Sequence, residues 1–176
     1  LVKDPVAIDW GPDGKLWVVE MADYPLGIDG KGKPGGRVRF LEDTNNDGIA
    51  DESEVFSTNY NHPLDGNAAG ILALDNSVLF TCIPHLWKLE DKDQDRKAEL
   101  KQALHKGFGV RVGVHGHDLH GLIQGPDGMI YFTVGDRGYD VVGHDGIRLH
   151  ESHRGAVFRC HPDGSHLEVF HRGLRN

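Results

Sequence analysis

"VAIDWGPDGKLWVVEM" (residues 6–21) and "GLIQGPDGMIYFTVGD" (121–136) are two copies of one pattern. Each sets an apolar, strand-like run before Gly-Pro-Asp-Gly and follows it with aromatic and β-branched residues. Asp-Gly between two such runs is hairpin chemistry, because glycine accepts the positive φ that a tight turn needs. "AGILALDNSVLFTCI" (69–83) is a degenerate third copy with Asp75-Asn76 in the turn, and "CHPDGSHLEVF" (160–170) supplies one more turn of the same kind. The three copies begin at residues 6, 69 and 121, spacings of 63 and 52. Such spacings suit propeller blades of about 40–50 residues carrying inserted loops.

Working outward, "KLWVVEM" (15–21), "RVRFLE" (37–42), "SVLFTCI" (77–83), "MIYFTVGD" (129–136) and "GAVFRC" (155–160) read as strands bounded by Gly, Pro, Asp or Asn. "DRKAELKQALHK" (95–106) reads as a helix, though its apolar spacing is poor. The expected fold is all-β: a β-propeller segment with approximate blades at 4–62, 63–109 and 110–176. That is three to three and a half blades of a ring of six, and it leaves open edges for the remaining blades to cover. The chain begins at Leu1, which reads as a processed or excised segment.

Composition narrows the function classes. The 27 Asp plus Glu outnumber the 19 Lys plus Arg, for a formal charge of −8. Without a basic run there is no expected nucleic-acid surface. No apolar run approaches the ~18 residues of a membrane span, so no membrane insertion by this segment is expected. Cys82 and Cys160 lack metal or redox spacing and read first as buried free thiols.

The acidic residues concentrate in two stretches. "DTNNDGIADESE" (43–54) fits a twelve-residue calcium loop. Asp43, Asn45 and Asp47 fall at positions 1, 3 and 5, Gly48 makes the turn at 6, the Ile49 carbonyl follows, and Asp51 and Glu54 fall at 9 and 12. "DKDQDRKAELKQ" (91–102) repeats it with Asp91, Asp93, Asp95 and Glu99, but Arg96 replaces the glycine and Gln102 the last glutamate. Arg96 counts against a cation there, through both its backbone and its charge. Strand-like flanks make the first a Ca²⁺ loop between strands rather than a helix–loop–helix sensor, and both loops read as structural, since calcium held wholly by protein has no open position for chemistry.

"HGHDLHGL" (115–122) admits three chemistries. His115, His117 and His120, with His144, His150 and His153, could ligate a transition metal, but on a strand His120 would face away from the other two. They could equally form a solvated rim. A single histidine could instead act as general base, with a neighbouring aspartate to orient it.

"HDLHGLIQGPDGMIYFTVGD" (117–136) resembles the H-x-G-G-R-L-x-x-G-P-D-G stretch of the soluble glucose (aldose) dehydrogenases that depend on pyrroloquinoline quinone (PQQ). "RGAVFRCHPDGSHLEVFHRGLRN" (154–176) is similar to that family's G-x-I-L-R…P-D-G…R-N ending. "LEDTNNDGIAD" (41–51), "KGFG" (106–109) and "GLRN" (173–176) follow the order found in large planctomycete and verrucomicrobial proteins described as membrane-bound dehydrogenases. Leu119, His120 and Gly121 depart from the glycine pair and arginine of the first pattern.

The resemblance implies a six-bladed propeller binding PQQ and calcium. It places His117 at the catalytic base, Arg175 and Asn176 against the quinone, and Asn67 and Asp118 on the side of a sugar or alcohol substrate. It also implies a periplasmic or extracellular setting. The alternatives are a non-catalytic, calcium-stabilised propeller binding a glycan or protein, and a calcium-dependent hydrolase, because fold alone does not fix chemistry.

Overall fold

The computed structural model describes residues 2–21, 31, 35–60, 67–110 and 117–175. Among them there are fourteen strands and no helix. The first sheet is a meander of β1 (Pro5–Trp10), β2 (Leu16–Glu20), β3 (Arg37–Glu42) and β4 (Glu52–Ser57). The second is a meander of β5 (Ala68–Leu74), β6 (Ser77–Cys82), β7 (His85–Glu90) and β8 (Leu100–Lys106). The third joins β9 (Leu119–Gln124), β10 (Ile130–Val134), β13 (Gly155–Cys160) and β14 (Glu168–Leu174), with a separate hairpin of β11 (Tyr139–Val142) and β12 (Arg148–Glu151) inserted after β10. Every pairing is antiparallel.

The burial pattern along each strand says which sheet lies between which. Successive side chains of a strand point to opposite faces. In β5 and β6, Ile71, Ala73, Val78 and Phe80 enter one core cluster while their neighbours Leu72 and Leu79 enter the other. The second sheet is therefore covered on both faces, which is why "GILAL" and "SVLF" are nearly continuous apolar runs. The first sheet packs Trp17, Val19, Val38, Phe40 and Phe56 on one side of it. The third packs Leu119, Phe132, Val134 and Phe158 on the other. Phe132 and Phe158 stack at 5.5 Å, and Phe108 meets both edge-on.

The outermost faces of this stack of three are open. Ala7 and Asp9 of β1 face the second sheet, where Asp9 Oδ2 accepts from Ala73 N at 2.8 Å. The alternate residues Val6, Ile8 and Trp10 are 45%, 64% and 68% exposed. At the far side Leu122 and Val169 pack inward, while Ile123 and Phe170 are 60% and 57% exposed.

The first strands of the three sheets lie side by side and run the same way. Asp9 and Ala73 stand near the ends of β1 and β5, and Asn67 and Asp118, just before β5 and β9, are bonded at 3.0 Å. The Gly-Pro-Asp-Gly turns and both acidic loops thus fall at one end of the molecule. His117, Asp136 and Arg175 fall at the other.

The strands of the three four-stranded sheets span residues 5–57, 68–106 and 119–174. The helix expected over 95–106 is not formed: residues 100–106 are β8, paired with β7. A ladder partner outweighs the modest helix preference of Ala, Glu, Leu, Lys and Gln. Cys82 and Cys160 are buried in different core clusters and are not joined in a disulfide. Burial pushes the Cys160 thiol up to about 12.

Candidate functional site

His117 leads into β9 and Asp136 follows β10, so the hairpin between these strands closes on the pair. His117 Nδ1 lies 2.6 Å from Asp136 Oδ1, and the two side chains are 19% and 38% exposed. The ring is therefore held by a charged partner yet reachable from solvent. Arg175, at the end of β14, accepts the Asp136 N–H on its main-chain oxygen at 2.8 Å, and its residue is exposed. Gly135 makes the convergence possible. A Cβ there would lie 2.8 Å from His117 Cα and 2.9 Å from the Arg175 oxygen, closer than real side chains approach.

Asp118 points the other way from its neighbour, into the protein. It is 2% exposed, accepts from Asn67 Nδ2 at 3.0 Å, and is paired with Arg137 Nη1. Asn67 is itself buried, at 6% exposure. A buried carboxylate is tolerable only when paired and bonded in this way. Asn67 and Asp118, expected on the substrate side, thus brace one another beneath His117. They fix the backbone on which the histidine sits.

The two acidic loops share most of their hydrogen-bond pattern. Asp43 Oδ2 accepts the Gly48 N–H at 2.7 Å, and Asp91 Oδ2 accepts the Arg96 N–H at 2.8 Å. Asp47 accepts from Ile49 and Asp95 from Lys97. Asp51 accepts from Thr44 and Glu99 from Lys92. The Thr44 bonds also hold the Asp51 carboxyl below its ordinary range. Asn46 and Gln94 take φ of 59° and 65° at matching positions, and Arg96 at 73° adopts the left-handed turn that Gly48 makes at 88°.

The carboxylates that draw together are those of the second loop. Asp91, Asp93, Asp95 and Glu99 bring ligand atoms within 4.8 Å of one another, a set that could hold a metal ion. Arg96, whose charge counts against an ion there, is paired elsewhere. Its guanidinium leaves the loop for Glu42, Glu52 and Glu54 of the first sheet. Glu54, read as the closing ligand of the first loop, therefore meets Arg96 at 3.3 Å instead. In that loop Asn45 spends its amide oxygen on the Asp47 N–H, and Ile49 is 71% exposed.

Among the described residues, the other histidines do not gather around His117. His120 Nδ1 is 3.2 Å from Thr133 Oγ1, His150 faces Asp140, and His144 Nε2 meets the Leu104 carbonyl at 3.1 Å. His153 follows β12, with its N–H bonded to Glu151. His115 and Asn176 lie outside the described residues. Asp136 and Arg137 were not singled out in the sequence. Counting outward along the hairpin would have found the first: Leu119 pairs with Val134, which sets residue 117 opposite residue 136.

The whole chain, residues 1–176, matches a family described as a domain of unknown function (DUF7133), and the chain belongs to that family. No curated protein matches it.

Proposed function

We propose that this chain contributes three blades of a six-bladed β-propeller that oxidises a sugar or alcohol hydroxyl, with His117 as general base and PQQ as hydride acceptor. The observation that carries this reading is the 2.6 Å contact between His117 Nδ1 and Asp136 Oδ1. With the Nδ1 proton given to the carboxylate, Nε2 is the ring atom left to take a proton from a hydroxyl. Asp136 fixes that tautomer and stabilises the imidazolium that forms.

The residues present fit the cofactor. Arg175 is an exposed cation tied through its main chain to the histidine–aspartate pair, suited to an anionic quinone. PQQ, when bound, would supply the two-electron acceptor chemistry. Arg175 and, by resemblance, Asn176 would hold it, and Arg175 would offset charge developing on it. Asn67, Asp118 and Arg137 keep the backbone under His117 rigid. Ca²⁺ in the acidic loops, Asp91, Asp93, Asp95 and Glu99 foremost, would serve stability.

Two features support the propeller: first strands lying side by side and parallel, and apolar residues exposed on both outermost faces. The remaining blades would cover those faces. Among the described residues no helix is long and apolar enough to cross a membrane. A periplasmic or extracellular setting is part of the proposal.

The test is a dye-linked dehydrogenase assay of the intact protein with PQQ and Ca²⁺ over a panel of sugars and alcohols. Turnover that requires the quinone and collapses in His117→Ala supports the enzyme. No quinone binding, with calcium still raising the melting temperature, would leave a calcium-stabilised scaffold instead.

A further inference from the structure

We propose that the cleft between the first and second sheets, at the end of the molecule away from His117, is a binding subsite for one neutral sugar ring. This inference does not depend on the dehydrogenase reading. The cleft encloses about 270 Å³, near the lower bound of ~300 Å³ for small-molecule pockets. It therefore takes one small ring and not a nucleotide or a chain.

The lining chooses the chemistry. The floor is aromatic: Trp17 meets Phe40 at 5.4 Å and Phe56 edge-on at 4.7 Å, and all three border the cleft. All three are mostly buried, at 8%, 1% and 6% exposure, so they give the cleft a narrow apolar strip against which one C–H face of a ring can lie. The rim is polar and of both senses. Asp75, Asn76 and Ser77 come from the β5–β6 turn, and Gln94 from the loop opposite. Amides both donate and accept, carboxylates accept, and a hydroxyl does either. That mixture matches a ligand whose every substituent is a hydroxyl.

Charge excludes the other classes. The two cations at the cleft are already engaged, Lys15 by Asp13 at 2.6 Å and Arg96 by three glutamates. A phosphate or carboxylate ligand would find no spare positive charge and would face Asp75 and Asp91. A cationic ligand would compete with Lys15 and Arg96, which already lie over the Phe40 ring at 5.6 Å and 4.9 Å. A wholly apolar ligand would strip water from the polar rim without replacing its bonds.

The experiment follows the indole N–H signals of the intact protein labelled with ¹⁵N-tryptophan. The chain holds three tryptophans, Trp10, Trp17 and Trp87, and Trp10→Phe and Trp87→Phe assign them by elimination. D-glucose, D-galactose and D-mannose are titrated separately into the millimolar range. The Trp17 signal is expected to move saturably with at least one sugar while the exposed Trp10 signal stays still. Asn76→Ala and Asp75→Ala are expected to weaken that response at least tenfold. His117→Ala leaves it unchanged, which separates this site from the other end. Undisturbed signals from the other two indoles certify that each variant is folded. A Trp17 signal that does not move with any of the sugars would overturn the proposal. So would one that responds equally in folded Asp75→Ala and Asn76→Ala, or that is lost in His117→Ala.

Discussion

Arg96 Nη2 donates to Glu42 Oε2 at 2.6 Å, tying the second acidic loop to the strand that leads into the first. The same guanidinium meets Glu52 at 3.0 Å and Glu54 at 3.3 Å, so one cation serves three carboxylates that would otherwise repel. Removing it leaves that repulsion uncompensated. Arg96→Ala is expected to cost about 1 kcal/mol, since the group is part-exposed and solvent screens it. Arg96→Gly loses the same ion pairs but relieves the left-handed backbone, and should be the more stable of the two by about 1 kcal/mol. Urea unfolding of both variants checks the order; Ala above Gly would show that the turn is unstrained.

For the proposed chemistry the informative variant is Asp136→Asn. It keeps a hydrogen-bond partner for His117 Nδ1 but removes the charge. General-base catalysis contributes about 10²–10⁴-fold, and much of that should vanish from kcat while KM changes little. His117→Ala should fall at least as far. A kcat unchanged in Asp136→Asn would take the carboxylate out of the mechanism.

Calcium binding is read from the melting temperature. At a hundredfold excess over Kd a ligand stabilises by about 2.7 kcal/mol, which for a chain of this size is about 5–10 °C. Asp93→Ala is expected to abolish most of the calcium-dependent rise, because Asp93 belongs to the gathered carboxylates. Asp43→Ala should retain most of it. The opposite ranking would return the principal site to the first loop.

His105 gives a pH dependence with a definite sign. Burial lowers its pKa, the bond from its ring to the Gly164 carbonyl works the other way, and the His144 ring 4.9 Å away lowers it further. Asp145 is the carboxylate that acts on it, in the raising sense. Above the unfolded value of ~6.5 both states are neutral and His105 contributes no pH dependence. As pH falls below that, the unfolded chain takes up a proton that the folded one resists, so stability declines until the folded pKa is passed. His105→Gln, which retains a donor for Gly164, should therefore lose less stability than the parent between pH 7 and pH 5. Denaturant unfolding at the two pH values measures it. Equal losses would mean that other groups carry the acid limb.

The repeat was legible because strand–turn–strand chemistry is local. Asp-Gly between alternating apolar runs specifies a hairpin whatever surrounds it, and β2, β6 and β10 lie where the residues place them. Residues 95–106 were misread because helix preference is also local, while β8 exists only through β7, a partner that periodicity does not reveal. The site divides in the same way. His117 could be singled out by type, but Asp136 required the hairpin register, and the inward turn of Asp118 required Asn67, fifty-one residues earlier in sequence. The contrast between the acidic loops was hidden for a similar reason. At the sequence level Arg96 counts as a charge inside the loop; in space it belongs to the neighbouring sheet.

Because the first strands run parallel, the acidic loops and His117 sit at opposite ends of strands such as β9, six residues long. At about 3.4 Å per residue that is a separation of roughly 20 Å. The Debye length at physiological ionic strength is ≈ 8 Å, so filling or emptying a cation site leaves the potential at the histidine nearly untouched. If the proposed function holds, ion occupancy and the acid–base profile at His117 should then vary independently, one setting how long the fold survives and the other how fast the proposed reaction runs.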